Sequence, residues 1–316
     1  MTRALLLVCM LATTALAQPR GSAVEPPAIT EKSRVEVQPA GKSFKQLSIE
    51  NPLGNVRIEG HDGTAIMIET HKRAPDVDAV DRLRVSLIPD PDGTVRITTH
   101  ADPGIESKPV ARAQVAIDLV IRAPRNARIE AAVGSGTLEV RNMDAGGELD
   151  SASGAISVQH VQGDFYTHSV SGRMSISQAF GSVDAATISS DVELDSISGN
   201  KVVASANQGT IAGRRVRSRE VELTTTSGKI SLEAEALVRG RIVVASLKGD
   251  VEVKLRRQSQ QAMIVRGRGT KVDFGTAAKL SQLGLWQEAR FGAHSVDAAF
   301  VELRSNHGVV RFAVIQ

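Results

Sequence analysis

Between Gly136 and Val253 the chain repeats one phrase seven times: a small turn residue, then apolar side chains two and four places later. The turn residues are Gly136, Gly154, Gly172, Ser190, Gly209, Gly228 and Gly249, separated by 18, 18, 18, 19, 19 and 21 residues. A constant period near twenty is the mark of a repeat architecture. The apolar columns are Leu138, Ile156, Met174, Val192, Ile211, Ile230 and Val251 two places after the turn. Four places after stand Val140, Val158, Ile176, Leu194, Gly213, Leu232 and Val253. A further column lies seven places after the turn (Met143, Val161, Ala179, Ile197, Val216). Two more precede it by seven and by five (Gly147, Phe165, Val183, Val202, Val221, Ile242; Leu149, Thr167, Ala185, Ala204, Leu223, Val244). The residues between them are polar, among them Glu139, Ser157, Ser175, Glu193, Ser231 and Glu252.

Inward apolar columns, outward polar ones and fixed coil length predict an all-β chain, a right-handed parallel β-solenoid with coils of about 18–21 residues. A β-sandwich explains alternation but not constant coil length. The small corner residues are expected to permit tight turns and positive φ angles.

Outside this block the alternation persists without a clean period. Val56 and Ile58, Ile66 and Ile68, Leu83 to Ile88, Val95 and Ile97, and Val115 to Ile121 read as strands, with a brief helical turn at Asp76 to Asp81. Past Leu255, Gly267 to Gly269 reads as a loop. Lys279 to Arg290 reads either as a short amphipathic helix carrying Leu280, Leu283 and Trp286 or, because of Gly284, as a loop over the stack. Val301, Leu303 and the stretch from Gly308 read as a last coil or hairpin closing the end.

The expected organisation is a leader at 1–17, a flexible tether at 18–32 and a β-rich N-terminal part or cap at 33–130. Regular coils follow at 131–255, then C-terminal coils or a cap at 256–316. The leader reading rests on Arg3, the apolar run Ala4 to Ala17 and the small residues Ala15 and Ala17 before Gln18. It places the protein in the periplasm or at the cell surface, with no integral span after cleavage. Cys9, the single cysteine, lies inside that run, so the mature chain has neither a disulfide nor a thiol site.

Charge changes the picture little. The net charge is +3, which gives no reason to expect nucleic acid as a partner. The densest basic feature is Arg214, Arg215, Arg217 and Arg219 with Arg239 and Arg241, a patch that could meet an acidic glycan or a lipid headgroup and more simply forms a solvated edge. Asp144, Asp164 and Asp184 recur every 20 residues like a calcium ladder, but against the turns they drift and so should not stack. His160 and His168 share a neighbourhood without metal spacing, and Gly134-Ser135-Gly136 reads as a corner, since no helix follows it to hold a phosphate. No catalytic, cofactor-binding or metal-ligating residue is assigned.

Four features together are similar to the bacterial putative-adhesin family: the Asn51 to Gly60 phrase, the strand Val115 to Pro124, the repeated Ser-Gly corners, and the closing Gly308 to Phe312. The resemblance covers about Ser33 to Gln316 and implies a β-helical, envelope-associated protein. It supplies no catalytic residues. The expectation is therefore a non-enzymatic exported adhesin or scaffold, binding an envelope protein or glycan through an elongated surface. The alternatives are a polysaccharide lyase or hydrolase and a self-assembling solenoid. The first needs paired carboxylates and sugar-stacking aromatics, yet only Tyr166, Trp286 and seven Phe are present.

Overall fold

The computed structural model describes residues 29–39, 43–102, 115–258, 261–275, 279–293 and 295–315. The expected leader and most of the tether lie outside the described residues. Elsewhere alternation sets the elements, and almost all of them are strands.

The N-terminal segment forms β1 (Ile29–Val37), β2 (Gln46–Asn51), β3 (Val56–His61) and β4 (Ile66–Ala74). One helical turn, α1 (Val77–Asp81), is capped by Asp76, whose carboxylate accepts from the Ala79 amide at 2.7 Å. β5 (Leu83–Pro89), β6 (Thr94–Ala101) and β7 (Ala116–Pro124) follow. β1 begins within the segment that composition assigns to the tether. Its side chains stay exposed, and backbone pairing with β4, which composition does not reveal, holds it.

The regular coils alternate between two ladders. β8 (Arg128–Val133), β10 (Gly147–Ser151), β12 (Phe165–Ser169) and β14 (Val183–Thr187) form one. β9 (Leu138–Arg141), β11 (Ile156–Gln162) and β13 (Met174–Phe180) form the other. The long strands β15 (Val192–Gln208) and β16 (Ile211–Ser227) contribute to both. β17 (Ile230–Glu235), β18 (Arg241–Ser246) and β19 (Val251–Arg256) continue the pattern.

Pairing between coils is parallel, and the registers reproduce the apolar columns. Leu138, Ile156, Met174, Val192, Ile211, Ile230 and Val251 are successive partners, each at most 1 % exposed. The two ladders bury their inner faces in one continuous hydrophobic cluster. Gly213 interrupts a column because Leu232 fills its place: a Cβ there would meet Leu232 Cδ1 at 2.9 Å.

Strict alternation would put inward residues four, six and eight places after the turn, yet the third column stands at seven. The structure supplies the reason. Asn142, His160, Gln178, Ser196 and Arg215, six places after successive turns, adopt left-handed φ angles of 51–58°. Each acts as a bulge that resets the parity of its strand.

The corner glycines correct one expectation. Among the seven turn residues only Gly209 has a positive φ (153°). The requirement elsewhere is close approach between coils. A Cβ at Gly154, Gly172, Gly228 or Gly249 would lie 1.7–1.9 Å from the carbonyl oxygen of the preceding coil's corner glycine.

At the C-terminal end the sequence reading fails in three places. Gly267 lies in β20 (Met263–Arg268), where a missing side chain leaves room for Val272 and Phe274. β21 (Lys271–Asp273) follows. Lys279 to Arg290 is neither helix nor loop but a hairpin, β22 (Lys279–Leu283) and β23 (Trp286–Phe291), turning at Gly284 with φ 62°. Finally, β24 (Ala299–Ser305) and β25 (Val309–Ile315) do not close the end. β24 pairs with β18 and β20, and β25 with β19 and β21, so the last strands in sequence fill an interior level.

The N-terminus uses the same device. β2 and β3 stand between β8/β9 on one side and β6/β7 on the other. The sheet is open: among the described residues β1, β5, β21 and β22 each have one neighbour.

Candidate functional site

The inner face of the first ladder, the one built from β8, β10, β12 and β14, carries a polar column that the sequence reading overlooked. Three places before successive corners stand Ser151, Ser169, Thr187, Ala206, Thr225, Ser246 and Ser305, all in register. The hydroxyls are buried and serve the corners. Ser151 Oγ donates to the Gly154 carbonyl at 2.7 Å, and Ser169 Oγ accepts from the Gly172 amide at 2.8 Å. Ser246 and Ser305 each bridge two corners, accepting an amide from their own and donating to the carbonyl of the preceding one. Thr225 Oγ1 donates to the Gly209 carbonyl at 3.2 Å. A Ser/Thr-x-x-Gly phrase on the coil period was the available signal.

Thr187 departs from this pattern. It is 6 % exposed, its corner residue is Ser190 rather than glycine, and the next residue in its column is Ala206. Its Oγ1 has no hydrogen-bond partner. At this level the outer surface opens into a cleft of about 610 Å³.

The cleft follows from side-chain size. Its floor is the outward column Ser205, Thr224, Ala245. On one side run the larger outward residues Asp184, Val203, Glu222 and Val243. On the other runs the corner row Asn207, Thr226, Leu247 and Asn306. The lining is thus hydroxyl and amide, with Arg304 at one end. Asp184, beside the cleft, has its carboxyl pushed up by burial, with Lys201 opposing the shift.

Two smaller cavities lie near the N-terminal coils. One of about 340 Å³ is lined by His61, Asp62, Arg125, Asn126 and Asp144. Arg125 joins both acids, at 3.0 Å to Asp144 Oδ2 and 3.4 Å to Asp62 Oδ1. The other, about 450 Å³, lies between Phe44 and the Pro89 to Gly93 turn.

The features singled out from sequence land as follows. Half of the arginine cluster is paired with carboxylates, Arg215 with Asp195, Arg217 with Glu235 at 3.0 Å and Arg239 with Asp297 at 2.6 Å, while Arg214, Arg219 and Arg241 form no ion pair among the described residues. Asp144, Asp164 and Asp184 fall in different columns. Asp144 binds Arg125, Asp164 accepts the Ser182 amide, and Asp184 pairs across from Tyr166. His160 is a left-handed bulge residue, and His168 Nδ1 stands 3.6 Å from Asp150 Oδ1. Gly134 and Gly136 pack on Pro52 and Gly54, as a corner would. Among the described residues no three metal-ligating side chains converge, and no helix is long and apolar enough to cross a membrane.

The model of the family called Toastrack DUF4097 matches residues 44–273. The chain belongs to the Toastrack family. No curated relative matches the sequence. Among solved structures, a putative adhesin from Parabacteroides merdae shares 9% identity at a TM-score of 0.51, covering 91% of this chain and 96% of its own. A putative adhesin from Bacteroides fragilis shares 18% identity (TM-score 0.41, 93% and 100% covered). A putative lipid binding protein from Parabacteroides distasonis shares 12% (TM-score 0.49, 90% and 97% covered). The Toastrack membership agrees with the resemblance read from the corner phrases. At 9% identity the likeness to the Parabacteroides merdae structure speaks for the fold alone.

Proposed function

We propose that this chain is a non-enzymatic, exported envelope protein, an adhesin-like or scaffolding module that presents the stack as an elongated interaction surface to an envelope protein or glycan. The observation that carries the reading is the cleft on the first ladder. It crosses several coils, and its lining is hydroxyl and amide groups, which bind without reacting. Export is supported by the leader pattern of Ala4 to Ala17. The coils are taken as right-handed, the sense in which parallel strand crossovers run. Residues 33–130 and 256–316 are taken to shield the two ends of the regular coils.

The test is photo-crosslinking in the native cell from an unnatural residue placed at Thr224. A discrete envelope partner or glycan adduct, together with no turnover of acidic or neutral glycans by the purified protein, is the expected result. Reproducible release of sugar or of unsaturated product would overturn it.

A further inference from the structure

The floor of the cleft does not end at Ala245. The same outward column continues through Arg304 to Arg268, which are direct partners on β24 and β20. Two arginines stacked on adjacent strands repel each other. Several outward arginines elsewhere in the stack are neutralised from a nearby strand, as Arg173 is by Glu193 and Arg57 by Glu139. Arg266, beside them, is held by Glu288 at 2.9 Å. Arg304 and Arg268 have no such carboxylate among the described residues. Towards the other end the floor carries the outward hydroxyls of Ser205 and Thr224. A row of hydroxyls thus runs into a pair of adjacent cations that have no carboxylate partner.

We infer that this cleft is a binding site for a linear acidic polysaccharide, its hydroxyls meeting Ser205, Thr224 and Asn207 and its carboxylate or sulfate meeting Arg304 and Arg268. The inference rests on the proposed reading of the stack as a non-catalytic interaction surface and names its ligand class.

The geometry selects a long ligand. From Thr187 to Asn306 the cleft crosses five levels, about 19 Å at the usual strand spacing of about 4.8 Å. It also disfavours an extended peptide. Peptides join sheets by pairing with an open edge, whereas the cleft lies across strands whose backbone groups are engaged in the ladder. Guanidinium groups suit the planar carboxylate of a uronic acid. The open, shallow form implies modest affinity per site, strengthened by a polymer with repeated epitopes.

The test is titration calorimetry of the full chain with polygalacturonate, with dextran as the neutral polymer and polyglutamate as the anion without hydroxyls. Polygalacturonate is expected to bind most tightly. Arg304→Gln should weaken it roughly ten-fold or more, and Thr224→Val several-fold. Arg173→Gln, on the opposite face, should leave it unchanged. Circular dichroism confirms that each variant keeps its β signal. Polyglutamate binding as tightly as polygalacturonate, or binding indifferent to Arg304→Gln and Thr224→Val, would overturn the inference. So would the absence of any binding; with no turnover seen, that result leaves the interaction-surface reading standing. Turnover of polygalacturonate would instead defeat that reading.

Discussion

The two outward faces share one core and treat charge in opposite ways. On the ladder containing β9 to β13, charges are closed off between coils: Arg57 with Glu139, Arg173 with Glu193, Lys229 with Glu252, Arg256 with Glu233. Between those pairs the outward column holds Ser157, Ser175, Ala212 and Ser231, small groups that leave no depression. On the other ladder Lys201 pairs with Glu220, but the pairing lapses at Arg304 and Arg268, small residues lie between two rows of larger ones, and a cleft results. Identical inward columns therefore say nothing about which face engages a partner. The difference lies in how far each face satisfies its own polar groups.

The strongest way to break the comparison is to remove what both faces share. Gly228→Ala places a methyl 1.9 Å from the Gly209 carbonyl oxygen. Since backbone and not a flexible side chain must yield, a loss of about 3 kcal/mol or more is expected, read as the denaturant midpoint. Both faces should fail together. Loss confined to one ladder, seen by hydrogen exchange, would show that the faces are separable.

A smaller effect isolates the closing hairpin. Glu288 is 1 % exposed and accepts from Arg266 Nε at 2.9 Å and Arg290 Nε at 2.7 Å, which hold its carboxyl below the usual range. Glu288→Ala should cost about 1.5–3 kcal/mol, with faster exchange in β22 and β23 and an unchanged cleft. Uniform destabilisation across the stack would contradict that local assignment.

The bulge column offers a gain in the other direction. Gln178 has φ 52°, a conformation that costs a side-chain-bearing residue about 1 kcal/mol. Gln178→Gly is expected to recover part of that, a rise of a degree or more in melting temperature being the sign to look for. A fall would mean that the Gln178 side chain contributes more than its backbone costs.

The mildest test separates the faces by pH. Asp191 and Asp250 accept backbone amides from Thr210 and Val309, and Glu252 accepts from Lys229, all of which lower their pKa values. Their contribution is full above the unfolded values near 4 and is lost as pH falls through the lower folded ones. Asp184, raised by burial, has the opposite sign: its charge costs stability at neutral pH, and the cost fades as pH falls towards 4. Asp184→Asn should therefore raise the melting temperature at pH 7 and lose that advantage at pH 4. An equal gain at both values would show that the charge is not the cause.

The inward columns were legible because burial demands the same residue class at every return. Positions such as Ile156 and Ile230 fulfilled that reading to the letter. The hydroxyl column was equally visible as Ser/Thr-x-x-Gly but carried no apolar signal to draw attention. Sequence order concealed the rest. A period read along the chain assumes that each coil stacks on the one before it, and β24 and β25 do not. Loop closure grows costly only slowly with length, so a matching pair of strands can be taken from far along the chain. The cleft was hidden for a related reason: Ser205 and Arg304 become neighbours of one surface only once coils are counted in space.

That interior placement of β24 and β25 has a consequence for how the protein is made. β20 and β21 have no coil to seat on until β24 and β25, which follow them in the chain, have docked on β18 and β19, so this level must be assembled out of sequence order.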